Sequence, residues 1–138
     1  MNAICLFVAG VIRATLPADE FTLAWQHSIE KTRWEEHYRI QGDGLVLLEA
    51  RIQGMGAGME PPDDAVLRDG WWTWTPAAKR IDALKLAVSP YVRDWALCWR
   101  DGCRPLGALV ASSSDGSVVD IKACNASNTS RPSDHAAA

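Results

Sequence analysis

The sequence lacks the features that mark several broad classes of protein. Its basic residues are scattered and its formal net charge is −3, so nothing indicates binding to nucleic acid or to an anionic membrane. The apolar stretch over residues 3–12 is too short for a membrane helix, which needs about 20 residues. There is no internal repeat and no long helical period. With 138 residues, the chain is long enough for one domain with a real core.

Short apolar segments with a two-residue period recur along the chain, which is typical of strands. The predicted strands cover residues 2–8, 11–16, 21–29, 34–40, 45–52, 71–75, 83–88, 94–99 and 116–123. Their spacing of roughly ten residues predicts an all-β, single-domain β-sandwich or flattened β-barrel of about eight to ten short, mostly antiparallel strands. This domain is expected over residues 1–124, followed by a disordered tail over residues 125–138 that has no apolar pattern.

Residues 21–40 predict a central hairpin, because apolar residues occupy alternate positions in both halves. If residues 30–33 form the turn, one register keeps both faces consistent. It gives the opposed pairs Ile29/Trp34, His27/Glu36, Trp25/Tyr38 and Leu23/Ile40. Slipping this register by one residue would place polar side chains on the apolar face of both strands.

In that register His27 and Glu36 are cross-strand neighbours on an otherwise apolar face, with Cβ atoms roughly 5 Å apart. A charge under aromatic rings needs a partner, so the two side chains are expected to share a hydrogen bond or an ion pair. The pair is then a structural contact or the polar floor of a pocket with Ser28, Glu30 and Lys31 at its mouth. A metal site is the third alternative, although the sequence has no recognisable zinc spacing, and we predict neither a metal nor a cofactor.

Four cysteines stand at positions 5, 98, 103 and 124. Cys98 and Cys103 flank an Asp-Gly turn, so they are expected on facing arms of a tight hairpin where a disulfide fits. Cys5 and Cys124 lie on the first and last predicted strands, and a bond between them would join the two ends of the domain. Two disulfides indicate an oxidising compartment. Four zinc ligands is the competing interpretation, but the spacing fits it poorly.

The N-terminal apolar segment lacks the basic start and the small-residue cleavage site of a signal peptide. We interpret it as the first core strand of a mature exported, periplasmic domain whose export signal is not part of this sequence. A lipoprotein-type cysteine at Cys5 is the alternative.

Two further stretches are candidates for a binding role. Residues 54–62 contain three glycines at alternate positions, and of these Gly56 and Gly58 permit a close backbone approach. This stretch is either a flexible connector or a loop whose amides face a ligand, but it is not a phosphate loop. After an Asp-Gly turn at residues 69–70, strand period puts Trp72 and Trp74 on one face and Trp71 on the other.

Several motifs resemble one bacterial family, the domain of unknown function numbered 1850. The matching segments are W-x-H-S-I-E-K-T from Trp25, L-x-L-L-E-A-R from Leu45, G-A-G-M-x-P from Gly56, L-C-x-x-x-G-C-x-x-L from Leu97 and V-x-I-x-x-C from Val119. The family motif then falls on His27, Ser28, Glu30, Lys31, Glu36, Glu49, Gly56 and Gly58. The resemblance implies a small exported protein encoded beside TRAP transporters of the TAXI type, and it implies no activity.

Three functions follow from these observations. The first is a non-enzymatic periplasmic accessory or solute-binding protein that acts with a TAXI-type TRAP transporter or its periplasmic binding protein, and that binds a small anionic solute through Lys31, His27 and the glycine-rich loop. The second is a hydrolase-like enzyme that uses His27 and Glu36 with Glu30. The third is a structural protein-interaction module. The predicted register opposes the use of Ser28 as a nucleophile, because Ser28 points away from His27.

Overall fold

The structure, a computed structural model, describes residues 2–26, 32–53, 61–77, 80–88, 95–100, 102–110 and 118–125. Within these residues the chain forms twelve strands and one short helix. The strands are β1 (Asn2–Val8), β2 (Val11–Leu16), β3 (Glu20–Gln26), β4 (Arg33–Gln41), β5 (Gly44–Gln53), β6 (Val66–Arg68), β7 (Trp71–Trp74), β8 (Arg80–Ile81), β9 (Leu84–Ala87), β10 (Ala96–Trp99), β11 (Gly102–Pro105) and β12 (Val118–Asn125). The helix is α1 (Leu106–Val110).

The strands form two sheets, which confirms the all-β prediction and favours the sandwich over a closed barrel. The smaller sheet has the order β2-β1-β12-β9, and the larger has the order β11-β10-β3-β4-β5-β7-β6 with β8 paired to β5. The strand pairs in both sheets are antiparallel.

The core lies between the smaller sheet and the β10-β3-β4-β5 part of the larger one. Ile4, Leu6 and Ile121 from the smaller sheet are fully buried, as are Leu45 and Leu97 from the larger sheet. This burial is why the apolar alternation could be recognised in the sequence, since each strand presents every second side chain to the opposite layer.

The central hairpin is confirmed, but its predicted register is wrong. Trp25 lies opposite Trp34, not Tyr38, and Glu36 lies opposite Leu23. The strand partners are displaced by four residues, an even number, so the apolar face is unchanged. Arg33, expected in the turn, therefore belongs to β4 and pairs with Gln26, while residues 27–31 lie outside the described residues. The sequence could not fix the register because no Gly or Asn marks a turn in this segment.

A β-bulge in β5 corrects a second expectation. Unbroken alternation over residues 45–52 would put Val46 and Leu48 on the same side as Ala50, but the pairing changes register between His37 and Tyr38 of β4. Leu48 is the extra residue, so Leu45 and Leu47 lie on the core side instead. A bulge reverses the alternation of inward and outward side chains in the residues that follow it. The composition of this segment does not predict the bulge.

Both predicted disulfides are present. Cys98 lies directly opposite Cys103 in the β10–β11 hairpin. Cys5 is bonded to Cys124 between the adjacent strands β1 and β12, with 5.9 Å between the Cα atoms. The Asp69-Gly70 turn is also confirmed: both residues have positive φ, 51° and 85°, as a two-residue hairpin turn requires.

The last described strand ends at the start of the predicted tail, and the disorder of that tail stays a prediction. β12 runs to Asn125, one residue into the predicted tail, and residues 126–138 lie outside the described residues. In the part of the chain that the structure describes, no helix is long and apolar enough to cross a membrane.

Candidate binding groove

A groove crosses the outer face of the larger sheet, on the side away from the core. Three neighbouring pockets of about 610, 170 and 520 Å³ form its segments. Thr22 and His37 line both the first and the second segment, and Glu49 and Arg51 line both the second and the third. We call this surface the outer groove.

Two residues that line the central segment, Glu35 and Arg51, belong to an ionic cluster built by two neighbouring strands. Arg33 and Glu35 stand on β4, and Arg51 lies directly opposite Glu35 on β5. The Nε atoms of Arg33 and Arg51 each donate to a different oxygen of Glu35, both at 2.8 Å. Two guanidinium groups therefore share one carboxylate, and the cluster carries a net charge of about +1 because arginine stays protonated.

The protonation of Glu35 follows from these contacts. Burial raises the pKa of the Glu35 carboxyl, but hydrogen bonds and charge from Arg33 and Arg51 outweigh it, so the pKa lies below its ordinary value of 4.5. Both arginines remain partly accessible, since 44% and 39% of their side chains are exposed while Glu35 is 15% exposed. The cluster thus holds a fixed negative charge beneath two accessible positive ones.

Two other side chains flank the cluster. The Arg51 guanidinium stacks on the Trp71 ring at 4.1 Å from its centroid, which fixes its orientation. Glu49 is exposed and lies opposite His37, and its carboxylate has no hydrogen-bond or ion-pair partner among the described residues. An accessible cation and an accessible anion therefore line the same small segment.

His37 links the central segment to the larger one beside it. Its Nδ1 lies 3.0 Å from the Thr22 hydroxyl, and its Nε2 lies 2.7 Å from a carboxylate oxygen of Glu20. Acyl-transfer enzymes use the same order of hydroxyl, imidazole and carboxylate. Here Thr22 is the direct cross-strand neighbour of His37 and Glu20 is two residues from Thr22 along β3, so ordinary strand pairing accounts for the contacts.

Glu36 lies on the inner face of the larger sheet, where its carboxylate has a hydrogen-bond partner. Its carboxylate accepts a hydrogen bond from the Tyr38 hydroxyl at 2.8 Å. Burial raises the pKa of Tyr38 far above its usual range, and the charge of Glu36 adds to this effect, so the phenol stays protonated as the donor. The predicted polar group on the apolar face is therefore real, but its partner within the described residues is Tyr38.

Tryptophans line the rest of this inner face. The Trp25 ring is stacked on Trp34 and meets Trp95 edge to face, with centroid distances of 5.6 and 5.1 Å. Trp34 also meets Trp74 edge to face. As expected, Trp72 and Trp74 share this face, since they pair with Ile52 and Ala50. Among the described residues, the buried indole N–H of Trp34 has no hydrogen-bond partner.

The structure separates the predicted site residues. Glu36 lies on the inner face and Glu49 on the outer face of the same sheet, so these two do not share a site. The other candidates, His27, Ser28, Glu30, Lys31, Gly56 and Gly58, lie outside the described residues. The predicted pairing of His27 with Glu36 is wrong, because Leu23 occupies the position opposite Glu36.

The residues that form the ionic cluster were not singled out from the sequence. In the alternating pattern of residues 34–40, Glu35 and His37 fall on the face opposite Trp34 and Tyr38, but this pattern could not show that Arg51 lies beside Glu35. That contact depends on the β4–β5 register, which the bulge alters. Among the described residues, no group of three or more His, Cys, Asp or Glu side chains could hold a metal ion.

A family model now identifies the chain's relatives. Residues 21–106 match the model described as a domain of unknown function, DUF1850. The protein is a member of the DUF1850 family. The matched range runs from β3 to the start of α1 and includes the strands that form the ionic cluster of this DUF1850 domain. No curated protein and no solved structure matches the chain.

Proposed function

We propose that this DUF1850 protein is a non-enzymatic, periplasmic solute-binding accessory of a TAXI-type TRAP transporter, and that it holds a small carboxylate in the outer groove. The association with the transporter comes from the family resemblance. The binding proposal depends on one observation: Arg33 and Arg51 share the single carboxylate of Glu35, and Glu35 and Arg51 line an open pocket.

This arrangement suits a carboxylate ligand for electrostatic reasons. Arg33 bonds to Glu35 through Nε alone, which leaves the two Nη atoms of its guanidinium for a carboxylate in the two-point geometry that arginine favours. The Trp71 stack orders the Arg51 side chain before a ligand arrives, which lowers the entropy cost of binding.

Glu49 narrows the class of solute. Its accessible carboxylate would repel a plain dicarboxylate and attract a ligand that also carries an ammonium group. The segment that Glu49 and Arg51 line together with Glu35 holds about 170 Å³, below the 300–1,000 Å³ of pockets for drug-sized ligands. The ligand class is therefore a small amino acid with a free carboxylate, and an acidic amino acid matches the anionic solute expected from the sequence.

Calorimetric titration with L-glutamate and glutarate tests the proposal, because the two differ only by the ammonium group. We expect glutamate to bind more tightly than glutarate. Arg33→Gln and Arg51→Gln should each weaken both by about 10- to 100-fold, the effect of one charge-assisted hydrogen bond. Glu49→Gln should weaken glutamate alone.

The matched control is Lys85→Gln, since Lys85 forms an exposed ion pair with Asp120 in the smaller sheet and is not part of the groove. It should leave both affinities unchanged. If millimolar glutamate and glutarate give no heat and no shift in melting temperature, the solute-binding proposal is wrong. The accessory role is tested separately by co-purification with the transporter's periplasmic binding protein, with and without glutamate.

A further inference from the structure

The larger sheet ends in an edge strand that is short and apolar. β6 pairs with β7 on one side, and no described strand pairs with its other side. Val66 and Leu67 are 50% and 52% exposed. Exposed edges of this kind offer unpaired backbone groups to another chain, and natural proteins usually guard them with charged residues or proline.

The other sheet edges carry such guards. The edge strand β11 ends at Pro105 and includes Arg104, β2 contains the exposed Arg13, and β9 contains the exposed Lys85. In β6 the one charged residue is Arg68, at the turn to β7. β6 therefore differs from these three edges in presenting two apolar side chains beside an open backbone edge.

The side chains of β6 extend surfaces on both faces of the sheet. Leu67 lies opposite Trp72, which shares the inner face with the other tryptophans of β4 and β7. Val66 and Arg68 line the 520 Å³ end segment of the outer groove. A strand added beside β6 would place alternate side chains next to the tryptophan face and next to the groove.

The charge of the outer groove near β6 determines which side chains an added partner strand should carry. The carboxylates of Asp64, Asp69 and Glu49 line the end segment. Against them stand Arg68 and Arg51, and Arg51 is already paired with Glu35. The excess of negative charge favours basic side chains on the groove side of an added strand.

We propose that the β6 edge binds an extended segment of a partner protein as an added antiparallel strand, with apolar side chains toward Leu67 and Trp72 and basic side chains toward Asp64 and Asp69. Backbone hydrogen bonds to β6 would provide affinity, and the alternation of apolar and basic residues would provide specificity. Glu49 lies between this surface and the proposed carboxylate site and lines the pockets of both.

Fluorescence anisotropy with labelled eight-residue peptides tests the proposal. We expect a peptide of alternating valine and lysine to bind, and one of alternating valine and glutamate not to bind. Hydrogen exchange should show that the bound peptide protects the amides of residues 66–68. Leu67→Lys should weaken the lysine peptide by about tenfold or more, because it adds a like charge at the edge without touching the core.

Val11→Lys is the matched control, since Val11 is 56% exposed on the edge strand β2 of the smaller sheet and should not alter peptide binding. Three results would overturn the proposal. These are binding of neither peptide, equal binding by wild type and Leu67→Lys, and protection of residues 66–68 that rises with protein concentration alone, which would identify a second copy of the chain as the occupant. Glutamate titration of Leu67→Lys distinguishes the two proposals. An unchanged glutamate affinity in a variant that no longer binds the peptide shows that the loss concerns the β6 edge and not the carboxylate site.

Discussion

Glu35 has an environment unlike that of an ordinary surface carboxylate. It accepts hydrogen bonds from two arginines on two strands and is only 15% exposed. Its carboxylate holds the two guanidinium groups close together and neutralises part of their positive charge. Removing it would leave two like charges side by side, so the geometry of the outer groove depends on this one carboxylate.

Lowering the pH should therefore destabilise the protein through Glu35. The pKa of this carboxyl in the folded state is below its ordinary value of 4.5. Its contribution to stability is accordingly full above about pH 4.5 and is lost as the pH falls through the folded-state pKa. Urea unfolding at a series of pH values should show this loss in wild type and a smaller one in Glu35→Gln.

Glu49→Gln serves as the control for this measurement, because Glu49 is exposed and makes no ion pair among the described residues. Its stability should follow the wild-type pH dependence. A Glu35→Gln profile that falls as steeply as wild type below pH 4.5 would show that the two arginines do not stabilise the carboxylate.

At the scale of elements, the sequence predicts the sheet face on which a side chain lies better than it predicts the residue paired with it on the next strand. Alternation assigned the inner and outer sides of β3 and β4 correctly although Trp25 pairs with Trp34 and not with Tyr38. A shift by an even number of residues leaves every side chain on its own face, so the pattern could not reveal the error. The reversal at Leu48 arises from a bulge, and alternation within a single strand does not predict it.

The helix α1 was missed because five residues are too few to show a helical period. It follows β11 directly and buries Leu106 and Val110 completely, with the Leu106 amide donating to the Trp95 carbonyl at 2.9 Å. These two side chains belong to the main core, so the helix closes one part of the sandwich.

Shortening Leu106 should show how much this helix contributes. Leu106→Ala is expected to cost about 2–5 kcal/mol, because it removes a fully buried side chain and leaves a cavity. Leu109→Ala should cost less, since Leu109 is only partly buried. Urea unfolding of both variants provides the measurement, and equal losses would mean that α1 is not anchored through Leu106.

At the scale of the whole molecule, the class of fold and both disulfides could be predicted, whereas the candidate site could not. Strand period and the positions of Cys5 and Cys124 on the first and last strands are properties of the sequence itself. The outer groove instead depends on which strands are adjacent: β4 and β5 bring Arg33, Glu35 and Arg51 together. Which strands are adjacent depends on the packing of the two sheets, and a local sequence pattern does not predict it.

The two disulfides should contribute unequally to stability. Cys5 and Cys124 are separated by 119 residues and Cys98 and Cys103 by 5. In the chain-entropy model, the long-range bond is worth about 5 kcal/mol and the short-range one about 2 kcal/mol. Guanidinium unfolding of the double variants Cys5→Ala/Cys124→Ala and Cys98→Ala/Cys103→Ala should show this order, and a larger loss in the second variant would contradict it.

The pairing of the first and last strands has a mechanical consequence. Asn2 lies beside Asn125, and a covalent bridge joins Cys5 to Cys124 a few residues inward. If the molecule were pulled by these two ends, tension would pass from one strand to the other through the bridge and would bypass nearly all of the sheets. Stretching forces that unravel other domains would therefore leave this one folded for as long as that sulfur–sulfur bond remains oxidised.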